Sequence, residues 1–218
     1  MPTRRRIISI AIAAVPIVFV LALAACTPST PASDTAPNAE SQPVPGEEPL
    51  HVSTQKVAGD ETAVVTTSKG IIKFRFFAKD APNTVASFIE LANKKFYDGT
   101  TWHRVVPNFV IQGGDPLSKK DDPAVGSGGP GWRIKGEFGT PQPDGTFVPA
   151  HKHLEGSVAM ARATDPNSAG SQSYICLAPQ PSLDGQYTVF GQVVSGLDVV
   201  HRIAQGDVIK SIRIQHGK

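Results

Sequence analysis

Residues 102–115 read Trp-His-Arg-Val-Val-Pro-Asn-Phe-Val-Ile-Gln-Gly-Gly-Asp. The runs 102–106 and 109–113 read as two short strands, apolar and rich in β-branched residues. On that reading Arg104 sits in a largely apolar stretch, and Gln112 lies three residues beyond Phe109. A guanidinium beside an aromatic ring and an amide, all on rigid strands, suits a polar backbone group next to an apolar ring. The plainer alternative is an arginine snorkelling from a strand edge. This segment alone leaves both open.

Six further strands are read outward from this pair: 62–67, 70–77, 156–161, 173–178, 188–194 and 209–215. Within 70–77, Ile72, Phe74 and Phe76 alternate with Ile71, Lys73 and Arg75, the period of a half-buried strand. Ser68-Lys69-Gly70 reads as the hairpin turn between the first two. In 81–96, Pro82 suits a first helical turn, and Val85, Phe88, Leu91, Ala92 and Phe96 form one apolar face. A second helix is expected around 197–204, stopping near Gly206. Eight strands and two helices predict an all-β-dominated domain, an eight-stranded closed antiparallel barrel capped by two α-helices. Residues 114–155, rich in Gly and Pro, read as long loops of the kind that serve a binding site.

The chain has 218 residues, with 40% apolar and 18% charged, which excludes wholesale disorder and a multi-span membrane protein. Its 20 glycines and 19 prolines favour many turns and short strands. Formal charge is +2, but Arg4, Arg5 and Arg6 belong to the leader; without residues 1–25 the chain carries −1. That near-neutral balance gives no electrostatic case for nucleic acid.

In the leader, a basic start precedes an apolar run from Ile7 to Ala25, and Leu23-Ala24-Ala25 stands directly before Cys26. The pattern resembles a bacterial lipobox. It implies cleavage of 1–25, a diacylglycerol on Cys26 and durable membrane anchoring. An uncleaved span is the other reading, since the run has 19 residues. Both place the globular part outside the cytoplasmic membrane, because the arginines stay inside. Residues 26–58 then form a Pro/Ser/Thr-rich tether, reaching on the order of 30 Å as a coil and about 100 Å extended. The globular domain is set at 59–218. With Cys26 given to lipid, Cys176 reads as a small buried core residue.

Common catalytic signatures are missing from the sequence. There is no G-x-S-x-G, no Walker A loop and no dinucleotide fingerprint; Gly126-Ser127-Gly128-Gly129 lacks the lysine such loops need. His151-Lys152-His153 has no third ligand at a zinc-like spacing and reads as a polar loop.

Five ordered blocks then identify a family resemblance: HRVVPNFVIQGGD, GSGG at 126–129, GSVAMA at 156–161, GSQSYICLA at 170–178 and LDGQYTVFGQV at 183–193. Together they resemble the cyclophilin-type peptidyl-prolyl cis-trans isomerases over about 62–215. The resemblance implies Arg104 as the catalytic arginine, Phe109 as the floor of a proline pocket, and Gln112 as a positioner of the peptide. Val110, Tyr174, Leu183 and Tyr187 fall at pocket walls. Gly126, Ala161, Arg162, Ala163 and Gln172 fall along the substrate groove and its neighbouring pocket. Several positions depart from the usual residues: Val110 for Met, Tyr174 for Phe, Arg162 for Asn, Ser182 for Trp and Tyr187 for His.

Rotation of an X-Pro amide breaks no bond, so neither nucleophile, metal nor cofactor is expected. Proline-containing polypeptides are the implied partners, exported proteins in particular, with the membrane reached through Cys26. Cyclosporin, which in this family leans on a large aromatic wall, is expected to bind weakly at Ser182. Trp132 is a candidate replacement for that ring. A peptide-binding module or holdase with little turnover is the alternative function.

Overall fold

The computed structural model describes residues 48–120 and 122–217. The leader, Cys26 and the tether as far as residue 47 lie outside these residues. Among the described residues there are ten strands: β1 Thr62–Thr67, β2 Ile71–Phe76, β3 Arg104–Val106, β4 Val110–Gly113, β5 Thr140–Pro141, β6 Phe147–Val148, β7 Ser157–Met160, β8 Ser173–Cys176, β9 Val189–Ser195 and β10 Ile209–Gln215. Two α-helices accompany them, α1 Pro82–Asn93 and α2 Leu197–Arg202.

Eight strands form one antiparallel sheet in the order β10-β1-β2-β9-β7-β8-β4-β3. The expected closed barrel is corrected here. The ladder is open, with β10 and β3 as its two edges. The segment leading into β3 crosses that gap instead of a strand. Gly99 N–H donates to the Ile209 carbonyl at 2.9 Å, Ile209 N–H to Thr100 at 2.8 Å, and Trp102 N–H to Asp207 at 2.9 Å. Those bonds hold Trp102 to the 206–209 turn, so β3 begins only at Arg104. A second correction falls in 114–155, where β5 and β6 pair as a small separate hairpin within the expected loops.

The sheet has two apolar faces, which explains why several strands lack clean alternation. Inward, Ile72, Phe74, Ile111, Val158, Ile175 and Phe190 pack with Val85, Phe88 and Leu91 of α1. Outward, Val110, Ala159, Tyr174, Cys176 and Val189 form a second buried cluster on β4, β8, β7 and β9. Period-two geometry sends neighbouring residues to opposite faces, so these strands must be apolar at nearly every position.

Helix α1 ends three residues earlier than its apolar pattern suggests. Lys95 adopts φ 56°, and the Phe96 N–H reaches back to the Leu91 carbonyl at 3.0 Å. With Lys95 N–H on Ala92 at 3.0 Å, this is a Schellman closure built without glycine.

The start of α1 has no cap from its own chain segment. Glu137 supplies one from the distant loop, accepting from Asn83 N–H at 3.0 Å, Thr84 N–H at 2.8 Å and the Thr84 hydroxyl at 2.7 Å. A carboxylate there meets both the orphan donors and the positive end of the helix. Glu137→Ala should therefore cost about 2 kcal/mol, at the upper end of capping effects. Denaturant unfolding measures it, and a loss below ~0.5 kcal/mol would show that water caps α1 equally well.

Residues 48–58, expected as the end of the tether, lie as a strap bonded to the domain. His51 N–H donates to the Arg133 carbonyl at 2.7 Å, and Arg133 N–H donates to Pro49 at 3.0 Å. His51 and the Ser53 hydroxyl both reach the Glu90 carboxylate, at 2.9 and 2.6 Å. Burial works against ionised Glu90, but its bonds from Lys94, Ser53 and His51 hold the carboxyl down at about 2.

Candidate active site

The outer apolar cluster is open at its centre. A cavity of about 250 Å³ is lined by Arg104, Phe109, Val110, Gln112, Ala161, Arg162, Tyr174, Leu183 and Tyr187. A neighbouring cavity of about 370 Å³ shares Gln112, Ala161 and Arg162, and adds Gly126, Ala163 and Gln172. The catalytic and substrate-groove candidates from the sequence therefore all line these two adjoining cavities.

The β3–β4 hairpin sets the first wall. Asn108 takes φ 59° and Phe109 N–H closes onto the Val106 carbonyl at 3.1 Å. Proline followed by a residue at positive φ is the signature of a type II turn. The register places Arg104 opposite Gln112. The guanidinium donates to Gln112 Oε1 at 3.3 Å and lies 5.6 Å from the centre of the Phe109 ring. Arg104 remains exposed, so its remaining N–H groups face the groove and solvent.

A hydrogen-bonded line continues from there. Gln112 Nε2 donates to Gln172 Oε1 at 2.9 Å, and Gln172 Nε2 donates to the carbonyls of Gly126 and Gly128, each at 2.9 Å. Below it lies Asp115, fully buried, which the sequence reading passed over as a site residue. Its carboxylate accepts from the N–H groups of Gly126 at 2.6 Å, Gly128 at 3.0 Å and Leu117 at 2.8 Å. Gly128 has to be glycine, because a Cβ there would stand 2.2 Å from Asp115 Oδ1. Asp115 thus fixes the loop that carries Gly126 along the second cavity. A charged residue ending a β-branched strand beside a glycine pair was its only sequence signal.

Arg162 stands between the two cavities. It donates from Nε to the Gln186 carbonyl at 3.0 Å and from Nη1 to Ala163 at 2.8 Å, and lies 4.6 Å from the centre of the Tyr187 ring. These contacts turn the guanidinium onto the protein.

The far wall is polar behind its rings. Tyr174 presents its ring to the cavity while its hydroxyl meets His153 Nε2 at 3.0 Å. His153, expected in a polar loop, is 1% exposed, and its Nδ1 lies 2.9 Å from Asp184 Oδ1. The same oxygen accepts the His153 backbone N–H at 2.8 Å. His151 behaves as the loop residue expected, pairing with Asp80 at 2.9 Å. Burial lowers His153 and also His103 below the ordinary imidazole range, against the pull of Asp184 and Asp115 respectively. Burial also raises the Tyr174 hydroxyl and pushes the Cys176 thiol up to about 12, so both stay neutral.

Ser182 is exposed in a single 3₁₀ turn, 181–183, and leaves that rim without a ring. Trp132 does not replace it. Its indole packs against His51, with ring centres 4.6 Å apart, and under Lys94.

Comparison with known proteins agrees with this architecture. The family model for the cyclophilin type peptidyl-prolyl cis-trans isomerases matches residues 62–217. A peptidyl-prolyl cis-trans isomerase of Synechococcus elongatus is 44% identical over 154 residues, covering 70% of this chain and 94% of the relative. Peptidyl-prolyl cis-trans isomerase B of Bacillus subtilis is 44% identical over 145 residues, covering 66% of this chain and 90% of its own length. Among solved structures, a cyclophilin type isomerase of Cryptosporidium parvum superposes with a TM-score of 0.61 at 26% identity, covering 72% of this chain and 99% of that one. The chain belongs to the cyclophilin-type peptidyl-prolyl cis-trans isomerases. Its reaction is the rotation of X-Pro amide bonds.

Proposed function

We propose that Arg104, Phe109 and Gln112 carry the isomerisation, and that the enzyme acts on exported proteins from a lipid anchor at Cys26. The observation supporting the first part is the placement of the Arg104 guanidinium beside Phe109 and Gln112 on the rim of a ring-sized apolar cavity. Twisting an X-Pro bond removes amide resonance, whose barrier is about 18–20 kcal/mol. As resonance is lost, the prolyl nitrogen gains a lone pair. A permanently protonated guanidinium can donate to it. The apolar walls of Phe109, Val110, Tyr174 and Leu183 hold the ring while the preceding carbonyl swings. Raising a rate from about 10⁻² to about 10³ s⁻¹ requires roughly 7 kcal/mol of barrier lowering. Electrostatic preorganisation and orientation together reach that size.

The neighbouring cavity with Gly126, Ala163 and Gln172 is assigned to the peptide flanking the proline. A protease-free isomerisation assay on the chain without residues 1–26 tests the catalytic reading directly. The missing ring at Ser182 supports weak binding of cyclosporin.

The leader supports the location. Cys26→Ala should abolish acyl labelling in cells and leave the precursor uncleaved, measured by fatty-acid labelling and gel mobility. A variant of unchanged size and unchanged membrane extraction would make the leader an ordinary anchor.

A further inference from the structure

The proline pocket is held from behind by a hydrogen-bonded line of three side chains, Asp184, His153 and Tyr174, of which His153 is buried away from the groove and Tyr174 reaches the pocket with its ring. Asp184 follows Leu183, a pocket wall, and directs one carboxylate oxygen at both the backbone and the ring of His153. A carboxylate only accepts, so Nδ1 carries the proton and Nε2 is left as the acceptor. The hydroxyl 3.0 Å away on Tyr174 must therefore donate. That bond fixes the far end of a ring whose face lines the pocket. Tyr187, another wall, stands edge-on to both rings, at 6.5 Å from His153 and 6.0 Å from Tyr174. One buried imidazole thus joins three walls of the pocket.

We propose that His153 is a positioning residue of the isomerase site, locking the Tyr174 ring to the Leu183–Asp184 wall so that the pocket is preformed for proline. The proposal rests on the assignment of the Arg104 pocket as the active site. It is carried by this chain's tyrosine, since a phenylalanine at 174 would have no hydroxyl to lock.

The lock depends on the neutral imidazole. The charged or titratable groups facing His153 are Asp184 on one side, Tyr174 on the other, Tyr187 at its edge, Cys176 beyond Asp184, and Arg162 beyond Tyr187. Protonation would turn Nε2 into a donor and leave the buried Tyr174 hydrogen without its acceptor. Burial depresses the folded pKa, so the neutral form persists through the ordinary imidazole range and is lost only as pH falls through the lowered folded value.

The test measures kcat and KM for a proline peptide from pH 5 to 8. For the unmodified enzyme, KM should rise several-fold toward pH 5 while kcat changes less than twofold. Tyr174→Phe should show the raised KM throughout, with no acidic rise. The double variant Tyr174→Phe/His153→Leu, which removes both polar ends, should recover KM to within about threefold and stay flat with pH. His103→Asn should keep the acidic rise, separating the two buried imidazoles. A Tyr174→Phe enzyme with unmodified KM across the range overturns the proposal, as does an acidic rise that vanishes with His103→Asn. Should the variants not fold, ¹⁵N spectra of the unmodified protein decide: an Nδ1–H tautomer at His153 supports the lock, an Nε2–H tautomer overturns it. An Arg104→Ala enzyme with undiminished kcat would refute the site assignment instead.

Discussion

Arg104→Ala is expected to lower kcat/KM for X-Pro isomerisation by at least ~10²-fold, the usual cost of losing one preorganised electrostatic group. Most of the loss should fall in kcat, because the donor acts on a nitrogen that becomes basic only in the twisted state. The fold should survive. Arg104 is exposed on the edge strand β3, and among the described residues its one side-chain hydrogen bond is the 3.3 Å contact to Gln112. Removing it empties no core volume. Arg104→Lys keeps the charge but not the planar fork, so it should recover only part of the rate. The measurement is a stopped-flow isomerisation assay alongside far-ultraviolet circular dichroism. An unchanged rate with an intact spectrum would move the donor role to another group.

The segments that decide the fold were legible because both kinds of information agreed in them. In β2 the buried Ile72 and Phe74 and the half-buried Phe76 follow the alternation read in the sequence. The outward cluster was less legible: a strand buried on both faces, such as Ser157–Met160, carries no period to read. Closure was overread for a related reason. Strand count cannot show that Trp102 bonds to Asp207 as a loop before β3 starts. The strap at 48–58 stayed hidden because backbone bonds to Arg133 and polar contacts to Glu90 hold it, and these leave no hydrophobic pattern. Arg104, Phe109 and Gln112 were readable as a local constellation on two adjoining strands. His153 was not, since its partners stand 21 and 31 positions away. The clue was Tyr174 in a run of buried residues, because a buried phenol needs a partner for its hydroxyl.

Ser182→Trp should tighten cyclosporin binding by at least about tenfold, or ~1.4 kcal/mol. The rim formed by residues 181–183 is exposed, and the serine there offers neither ring surface nor an indole N–H. A large ligand that spreads beyond the 250 Å³ cavity would meet water at that edge. A buried tryptophan contributes more than 150 Å² or so of contact, worth a few kcal/mol when fully used. Ordering an exposed side chain offsets part of this, so the expected gain is set at its lower end. The proposed proline pocket lies at Phe109, Val110 and Leu183 rather than at residue 182, so kcat/KM should change by less than about threefold, well under the tenfold that ~1.4 kcal/mol represents. Trp132 could compensate only by leaving His51 and Lys94, and with them the strap it packs against. Titration calorimetry on the unmodified protein, Ser182→Trp and Trp132→Ala separates these contributions. Tight binding by the unmodified protein that persists in Trp132→Ala would mean the open rim costs cyclosporin nothing, and the reading of Ser182 would fall.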